Sequence, residues 1–394
     1  MSVKAEAGAK PVRAQEFQTG RVLTITIAHA VHDTYTAFLA PLLPVFIENL
    51  SLSKTEAGLL TAFNQAPSLT QPFIGHLADR LSLRYFVILA PAVTATAMSV
   101  LGLAPTYLVL ALLLIAVGLS SATLHSVAPV MAGRLSGRNL GRGMGFWMVG
   151  GELGRTLGPL VIVAGLQFLG LKGTAWLMIG GWLVTILLFF WLRDVPGRVA
   201  EANDGLPWRQ ALYLMRPLLV PLVGIIIVRS FMQAALTTYL PIYLTEEGAE
   251  LWFAGISLSV LEAAGVVGAL LGGTLSDRMG RRTILLISLT ATPVLMVLFV
   301  FAGGWIRFPL LLALGLTALS VTPVVMAIVQ EHSPENRALA NGTYMSLSFL
   351  IRSGVVVLVG AMGDLWGMRL AFLASALIPI LGLPFLNMLP SRRS

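Results

Sequence analysis

Twelve stretches of this chain are each long and apolar enough to cross a lipid bilayer, and that repetition limits the fold more than any other feature. About 20 residues at ~1.5 Å rise span a hydrocarbon core of ~30 Å. Broken by Gly, Pro and charged residues, the stretches fall at 22–47, 55–77, 85–103, 107–131, 143–169 and 174–192, and after a polar connection at 217–244, 251–275, 283–302, 308–329, 340–362 and 370–389. Hydrocarbon offers no hydrogen bonds, so each stretch is expected to be helical. With 56% of its 394 residues hydrophobic and only 11% charged, the chain has more apolar surface than a soluble core can hide. The expected fold class is all-α and integral to a membrane. Cysteine is absent, which removes disulfides, thiolate metal sites and thiol nucleophiles.

Basic residues orient the spans. With the N-terminus taken as cytoplasmic, 19 of the 26 Lys and Arg fall on loops of that side and only Lys54, Lys172, Arg307 and Arg369 on the other; Arg155, Arg229 and Arg352 lie within spans. The net charge of +8 therefore calls for no nucleic-acid partner. The expectation is a multi-pass protein of the cell (inner) membrane with both termini cytoplasmic. Residues 1–20 lack an apolar core and read as a cytoplasmic N-terminal tail, not a signal peptide.

The chain repeats itself. Gly75-x-Leu77-Ala78-Asp79-Arg80 closes the second span and Gly273-x-Leu275-Ser276-Asp277-Arg278 the eighth, shifted by 198; at a shift of 197, Pro44 falls on Pro241 and Arg155 on Arg352. Parallel halves of this kind frame a central site in transporters. The expected domains are an N-terminal six-helix bundle over 21–193, a cytoplasmic linker over 194–216, a C-terminal six-helix bundle over 217–389 and a tail over 390–394, the two pseudo-symmetric bundles enclosing a central cavity.

Ionisable residues sit deep in the spans: His29, His32, Asp33, His125, Glu152, Arg155, Arg229, Glu262 and Arg352. A charge at such a depth costs a few kcal/mol unless it faces a partner or a wet cavity, so each is a functional candidate. Spans 3, 6, 9 and 12 carry none, as expected of lipid-facing helices. Histidine and a desolvated carboxylate exchange protons near neutral pH, whereas arginine stays charged. Asp33, with His29 and His32, is therefore the expected proton-coupling group, and Glu262 a second. Arg229 and Arg352 are the expected holders of an anionic or polar substrate group, with His125, Arg155, Glu152, Gln65 and Tyr344 around them; Gln65 enters because it falls on Glu262 at the shift of 197. Phe38, Phe63, Trp147, Tyr239 and Met345 are candidates for an apolar wall.

At the paired Gly-x-Leu-(Ala/Ser)-Asp-Arg sequences the chain resembles the major facilitator superfamily. Within it, His29-x-x-x-Asp33, Gln71-Pro72, His125 and Gln330-Glu331-His332-Ser333-Pro334-Glu335-Asn336-Arg337 are similar to the fosmidomycin-resistance group of drug exporters, with Ser126-Val127 standing where that group has Pro-Glu. The resemblance implies the major facilitator fold and a proton-driven exporter of drug-efflux type that confers antibiotic resistance. Gly145, Gly154 and Gly158-Pro159 match most of the antiporter motif of the fifth helix, with Ile162-Val163 replacing its closing glycine pair. Asp79 with Arg80 and Arg84, and Asp277 with Arg278 and Arg281, are expected to form a cytoplasmic latch, each aspartate meeting the positive N-terminus of a helix in the other half.

The functional expectation is a secondary active transporter working by alternating access, a proton-coupled antiporter exporting small organic or amphiphilic compounds, anionic ones included. Its partners would be the substrate, protons and the bilayer, with a proton gradient in place of any cofactor, acting as a monomer with no resident metal. The alternatives are a carrier of lysolipid-like or organic anions, or a divalent metal exporter using His29, His32 and Asp33. No HExxH, Gly-x-Ser-x-Gly or Walker sequence supports an enzyme.

Overall fold

In the computed structural model, which describes residues 16–71, 73–74, 84–137, 139–195, 208–333 and 337–390, some of the apolar stretches break into two helices ahead of a proline. The first half holds α1 (Thr19–Thr36), α2 (Leu39–Leu50), α3 (Lys54–Gln65) with a 3-10 turn over Ala66–Thr70, α4 (Arg84–Ser99), α5 (Tyr107–Leu135), α6 (Leu140–Gly173) and α7 (Met178–Leu192). The second holds α8 (Trp208–Ala234), a π-helical turn Ala235–Tyr239, α9 (Leu240–Glu246), α10 (Leu251–Met279), α11 (Arg281–Phe301), α12 (Arg307–Ala318), α13 (Val321–His332), α14 (Arg337–Trp366), α15 (Met368–Leu377) and α16 (Leu383–Met388). Pro41 has no N–H to offer the Ala37 carbonyl, and α1 parts from α2 at Ala37–Phe38. One repeat later the chain slackens into the π-helical turn ahead of Pro241. Pro323 parts α12 from α13 in the same way.

Ten stretches of described residues are long and apolar enough to cross a membrane. One of them, Arg142–Leu192, bends at Gly170 (φ 70°) and holds both α6 and α7, hence two of the expected spans. The expected span 55–77 is carried by α3 and its 3-10 turn, and its end lies outside the described residues. The second half begins earlier than expected. α8 starts at Trp208, inside the segment read as linker, because Trp208 to Arg216 contains neither Gly nor Pro.

The halves meet through α3 against α14, α6 against α10 and α2 against α9. α4 packs on α5 and α7, and α11 on α12 and α15, so these lie at the periphery. Phe86, Leu89, Leu183, Phe190, Val294 and Leu298 on them are exposed, as lipid-facing residues are.

The apolar interior is divided unevenly. At the face away from the termini one core runs through both halves, from Phe38 and Leu43 to Tyr239, Tyr243, Phe299 and Phe372. Towards the face carrying the termini each half has its own core, Ile25, Ile88 and Leu124 in one, Leu222, Leu285 and Val325 in the other. The bundle is thus joined at the far face and divided at the terminal face.

Within the second half, α10 and α12 touch backbone to backbone at Gly315, where an added Cβ would lie 2.3 Å from the Leu261 carbonyl oxygen and 2.7 Å from Ala264 Cβ. Gly315→Val is expected to destabilise the fold by about 3 kcal/mol or more by overpacking. Thermal unfolding in detergent checks this against Gly303→Val, whose Cβ meets nothing within 4 Å and which is expected to leave Tm within about 2 °C of the parent.

Candidate functional site

Three imidazoles and one carboxylate converge midway along α1. His29 and Asp33 stand four apart on one face, and α5 brings His125 against them. His29 Nδ1 lies 2.8 Å from the Trp147 carbonyl, and His125 Nδ1 lies 2.9 Å from the Ser121 carbonyl. A carbonyl only accepts, so both Nδ1 atoms carry hydrogen and both neutral Nε2 atoms present lone pairs. Those two Nε2 atoms face each other at 3.2 Å, with Asp33 oxygens 3.4 Å from His29 and 3.8 Å from His125. Three acceptors turned toward one point bond only if a proton is added between them. His32 stands beside this group: its Nδ1 donates to Asp33 Oδ1 at 2.9 Å, and its Nε2 is buried with no partner among the described residues. The sequence groups His125 with the substrate residues, whereas here its Nε2 faces His29 and Asp33.

Glycine lets α6 press on this cluster. A Cβ at Gly151 would lie 2.5 Å from His29 Cε1, at Gly154 2.8 Å from Asp33 Cβ, and at Gly158 2.5 Å from Ala37 Cβ. Any side chain there would lift α6 from α1 and separate Trp147 from His29, whose rings stack at 3.6 Å and 14°. Two members of the antiporter motif, Gly154 and Gly158, therefore act by close approach. Gly145 does not share this role, since its Cβ would meet nothing within 4 Å. Pro159 turns its carbonyl toward Gly255 of α10. Gly150 and Gly151, which belong to no motif, press as closely as the motif residues do.

Arg155 connects the halves at mid-depth. It is ion-paired with Glu152 one turn away and reaches Glu262 of α10 with its Nε 3.6 Å from Oε2. Its side chain is 44% exposed although it lies at the centre of a long apolar helix, so the centre of the bundle is open to water.

Beyond Glu262 a pocket in the second half is lined by Arg229, Gln233, Tyr344, Met345, Phe349 and Arg352 among others. Arg229 is partly committed: it donates to Ser288 Oγ at 2.6 Å and to the Ala318 carbonyl at 2.7 Å, the last residue of α12, where a cation is favoured. Neither Arg229 nor Arg352 pairs with a carboxylate within 4.0 Å among the described residues, so the pocket is cationic with an apolar wall.

Other expected residues lie elsewhere. Gln65 lies outside this pocket lining, with its amide oxygen buried and unpartnered among the described residues. Phe38 and Tyr239 fill the shared core and form no wall. Asp79 and Arg80 lie outside the described residues, and Arg84 begins α4 with its guanidinium over Tyr85. Arg281 holds Asp277 at 2.6 Å and also pairs with Glu331, and no ion pair from Asp277 to α6 occurs among the described residues, while Arg278 is exposed. The metal alternative named His32, yet the donor atoms that converge within 4.8 Å among the described residues belong to His29, Asp33 and His125. A divalent cation there would meet the permanent positive charge of Arg155, which follows Gly154 in the chain and is near Asp33.

Known proteins place this architecture. The major facilitator superfamily model matches residues 25–353 and 264–393. YfnC of Bacillus subtilis (strain 168), an uncharacterized MFS-type transporter, is 27% identical over 373 residues, 92% of this chain and 91% of its own. The fosmidomycin resistance protein of Escherichia coli (strain K12) is 23% identical over 366 residues, 91% of this chain and 90% of its own. Among solved structures, a bacterial homologue of the human lysosomal transporter Spinster, inward-facing and occupied, superposes with a TM-score of 0.80 at 16% identity, covering 96% of this chain and 97% of that one. The nucleoside transporter NupG superposes with a TM-score of 0.73 at 16% identity over 94% of this chain and 99% of that one. With the motifs at both halves, the all-helical bundle and a family match across most of its length, the chain belongs to the major facilitator superfamily of membrane transporters.

Proposed function

We propose that this transporter is a proton-coupled antiporter exporting small organic or amphiphilic anions, of drug-efflux type. The observation that carries the reading is the convergence of His29 Nε2, His125 Nε2 and Asp33 on one point, an arrangement that one added proton completes. Proton and substrate then occupy different halves. The proton enters the first-half cluster, and the anion enters the second-half pocket against Arg352 and the remaining donors of Arg229.

Arg155 and Glu262 give the two sites a shared element. An anion arriving at Arg352 alters the field at Glu262, and Glu262 shares Arg155 with Glu152. The guanidinium is then drawn toward one carboxylate or the other, and its position beside Asp33 changes how well the cluster holds its proton. The added proton and Arg155 repel, and the anion and Arg155 attract, so the charge of each ligand is felt at the other's site through Arg155. Export agrees with the close-approach glycines at Gly154 and Gly158, and with the relative named for fosmidomycin resistance.

Asp33→Asn is expected to abolish pH-gradient-driven efflux in vesicles while the purified protein still binds compound, with fosmidomycin the first member of the panel. Unchanged gradient-driven efflux would remove Asp33 from the coupling step. Arg352→Gln is expected to weaken binding of anionic compounds about tenfold or more while neutral compounds of similar size lose less than twofold, each tenfold being about 1.4 kcal/mol. Equal losses for both classes, read by titration calorimetry, would show that Arg352 supports the fold and does not hold the anion.

A further inference from the structure

Lys54 opens α3 at the far face, and each of its three polar groups is held by the opposite half. Its backbone N–H donates to Asp364 Oδ1 at 2.8 Å, its carbonyl accepts from the Tyr239 hydroxyl at 3.1 Å, and its ammonium reaches Glu246 Oε1 at 2.8 Å. Asp364 lies on α14, Tyr239 in the π-helical turn and Glu246 at the end of α9. Thr55 adds its N–H at 2.9 Å and its hydroxyl at 2.5 Å to the other Asp364 oxygen. Ser53 caps the next amide, Glu56 N–H, at 3.1 Å, so α3 completes its own cap at one position and borrows the other two from across the interface.

The fit is built into the backbone. A Cβ at Gly360 would lie 2.4 Å from the Lys54 carbonyl oxygen, and one at Gly363 2.8 Å from Lys54 Cδ, so glycine on α14 makes room for both the main chain and the stem of Lys54. The Tyr239 hydroxyl shares its one hydrogen between the Lys54 carbonyl and the Val356 carbonyl, the latter at 2.7 Å, and a Cβ at Gly58 would strike that hydroxyl at 2.3 Å. The mate of Asp364 at the repeat shift of 197 is Gln167, and the mate of Lys54 is Leu251. The matching corner, between α6 and α10, is closed instead by Gly255 against Val163. Among the described residues the lock therefore has no counterpart at the matching corner and stands on one side of the pseudo-twofold.

We propose that Asp364, Tyr239 and Glu246 form a lock on Lys54 that closes the far face and makes the conformation open at the terminal face the resting one. The inference rests on the alternating-access reading but not on the identity of proton or substrate. Asp364 is exposed at the rim, with Lys54 and Thr55 half-buried beside it, so water replaces each bond to its carboxylate as it breaks. Such contacts release without leaving buried groups unsatisfied, which is what a gate that opens each cycle requires. Asp364 also complements the positive end of α3, an attraction that the opening motion has to overcome. These are positioning residues: they touch neither the histidine cluster nor the arginine pocket.

The parent chain has no cysteine, so single introduced thiols report access cleanly. Val356→Cys lies in the far-face seal beside Tyr239; Gly145→Cys lies seven residues before Glu152, on the same face of α6 and nearer the terminal face. The full chain in oriented vesicles, without substrate or pH gradient, is exposed to a membrane-impermeant maleimide from each side. Asp364→Asn is expected to speed labelling of Cys at 356 at least fivefold and to slow labelling of Cys at 145. Lys54→Glu is expected to act in the same sense, and Lys54→Glu combined with Glu246→Lys to restore the slow rate at 356. If Asp364→Asn does not fold, Glu246→Gln, at the exposed rim, carries the test with an expected rise of twofold or more. Unchanged rates at both positions, or a double exchange that fails to restore the parent rate, overturn the lock. Because no transport is measured, a protein that proves not to exchange protons for substrate still gives a decisive answer here.

Discussion

A permanent positive charge in the middle of a hydrocarbon slab has to be answered where it stands, and Arg155 is answered from both halves at once. Glu152 lies on its own helix and Glu262 on the facing one. A charge near mid-membrane is tolerated only where it faces a partner or a wet cavity, and the Arg155 side chain, 44% exposed, has both. The halves therefore cannot part at this depth unless water or another charge takes the place of what leaves. That requirement explains why the ionisable residues occur on α1, α5, α6, α8, α10 and α14, whose inner faces meet, and why α4, α7 and α11 carry none in their spans.

The histidine cluster obeys a narrower constraint. An imidazole has two nitrogens, and assigning the hydrogen of one fixes what the other can do. Here backbone carbonyls of Trp147 and Ser121 make both assignments, so the chemistry of His29 and His125 is set by main chain that no substitution of the carbonyl-bearing residues removes. The approach of α6 that delivers the Trp147 carbonyl depends in turn on glycine at 150, 151, 154 and 158. Small residues are common wherever membrane helices pack closely, since no hydrophobic force drives helices together in lipid. Their contribution to this site is position: they hold a carbonyl donor-selector and a stacked indole against His29.

The apolar spans, the repeat and the buried charges were legible in the sequence because each is a property of residue type and spacing. The breaks at Ala37–Phe38 and in the π-helical turn were not read, although Pro41 and Pro241 are visible, because a proline four residues on marks either a kink or an end and only packing decides between them. The partnership of His125 with His29 was hidden for a different reason. Residues 96 apart meet only through the packing of α5 on α1, and the hydrogen that defines their relation is donated to carbonyls that every residue possesses. Asp364 was passed over because an aspartate at a span end looks like a solvated loop charge. What distinguishes it is the N-terminus of a helix from the other half.

The uneven division of the apolar core says how the two kinds of contact share the work of switching. Closing the terminal face means bringing together the two cores that now stand apart, and opening the far face means exposing part of the one that is shared. Apolar burial contributes about 25 cal/mol per Å², so a few hundred Å² on either side outweighs any set of rim hydrogen bonds at about 1 kcal/mol each. A carrier that visits both states needs these two large quantities to nearly cancel. Once they do, the small polar contacts decide which state is populated at rest, and a shift of only ~1.4 kcal/mol changes the ratio tenfold. Lys54 stands at the rim with Asp364 and Glu246, where water replaces each broken bond and the contacts count in full against that near-balance.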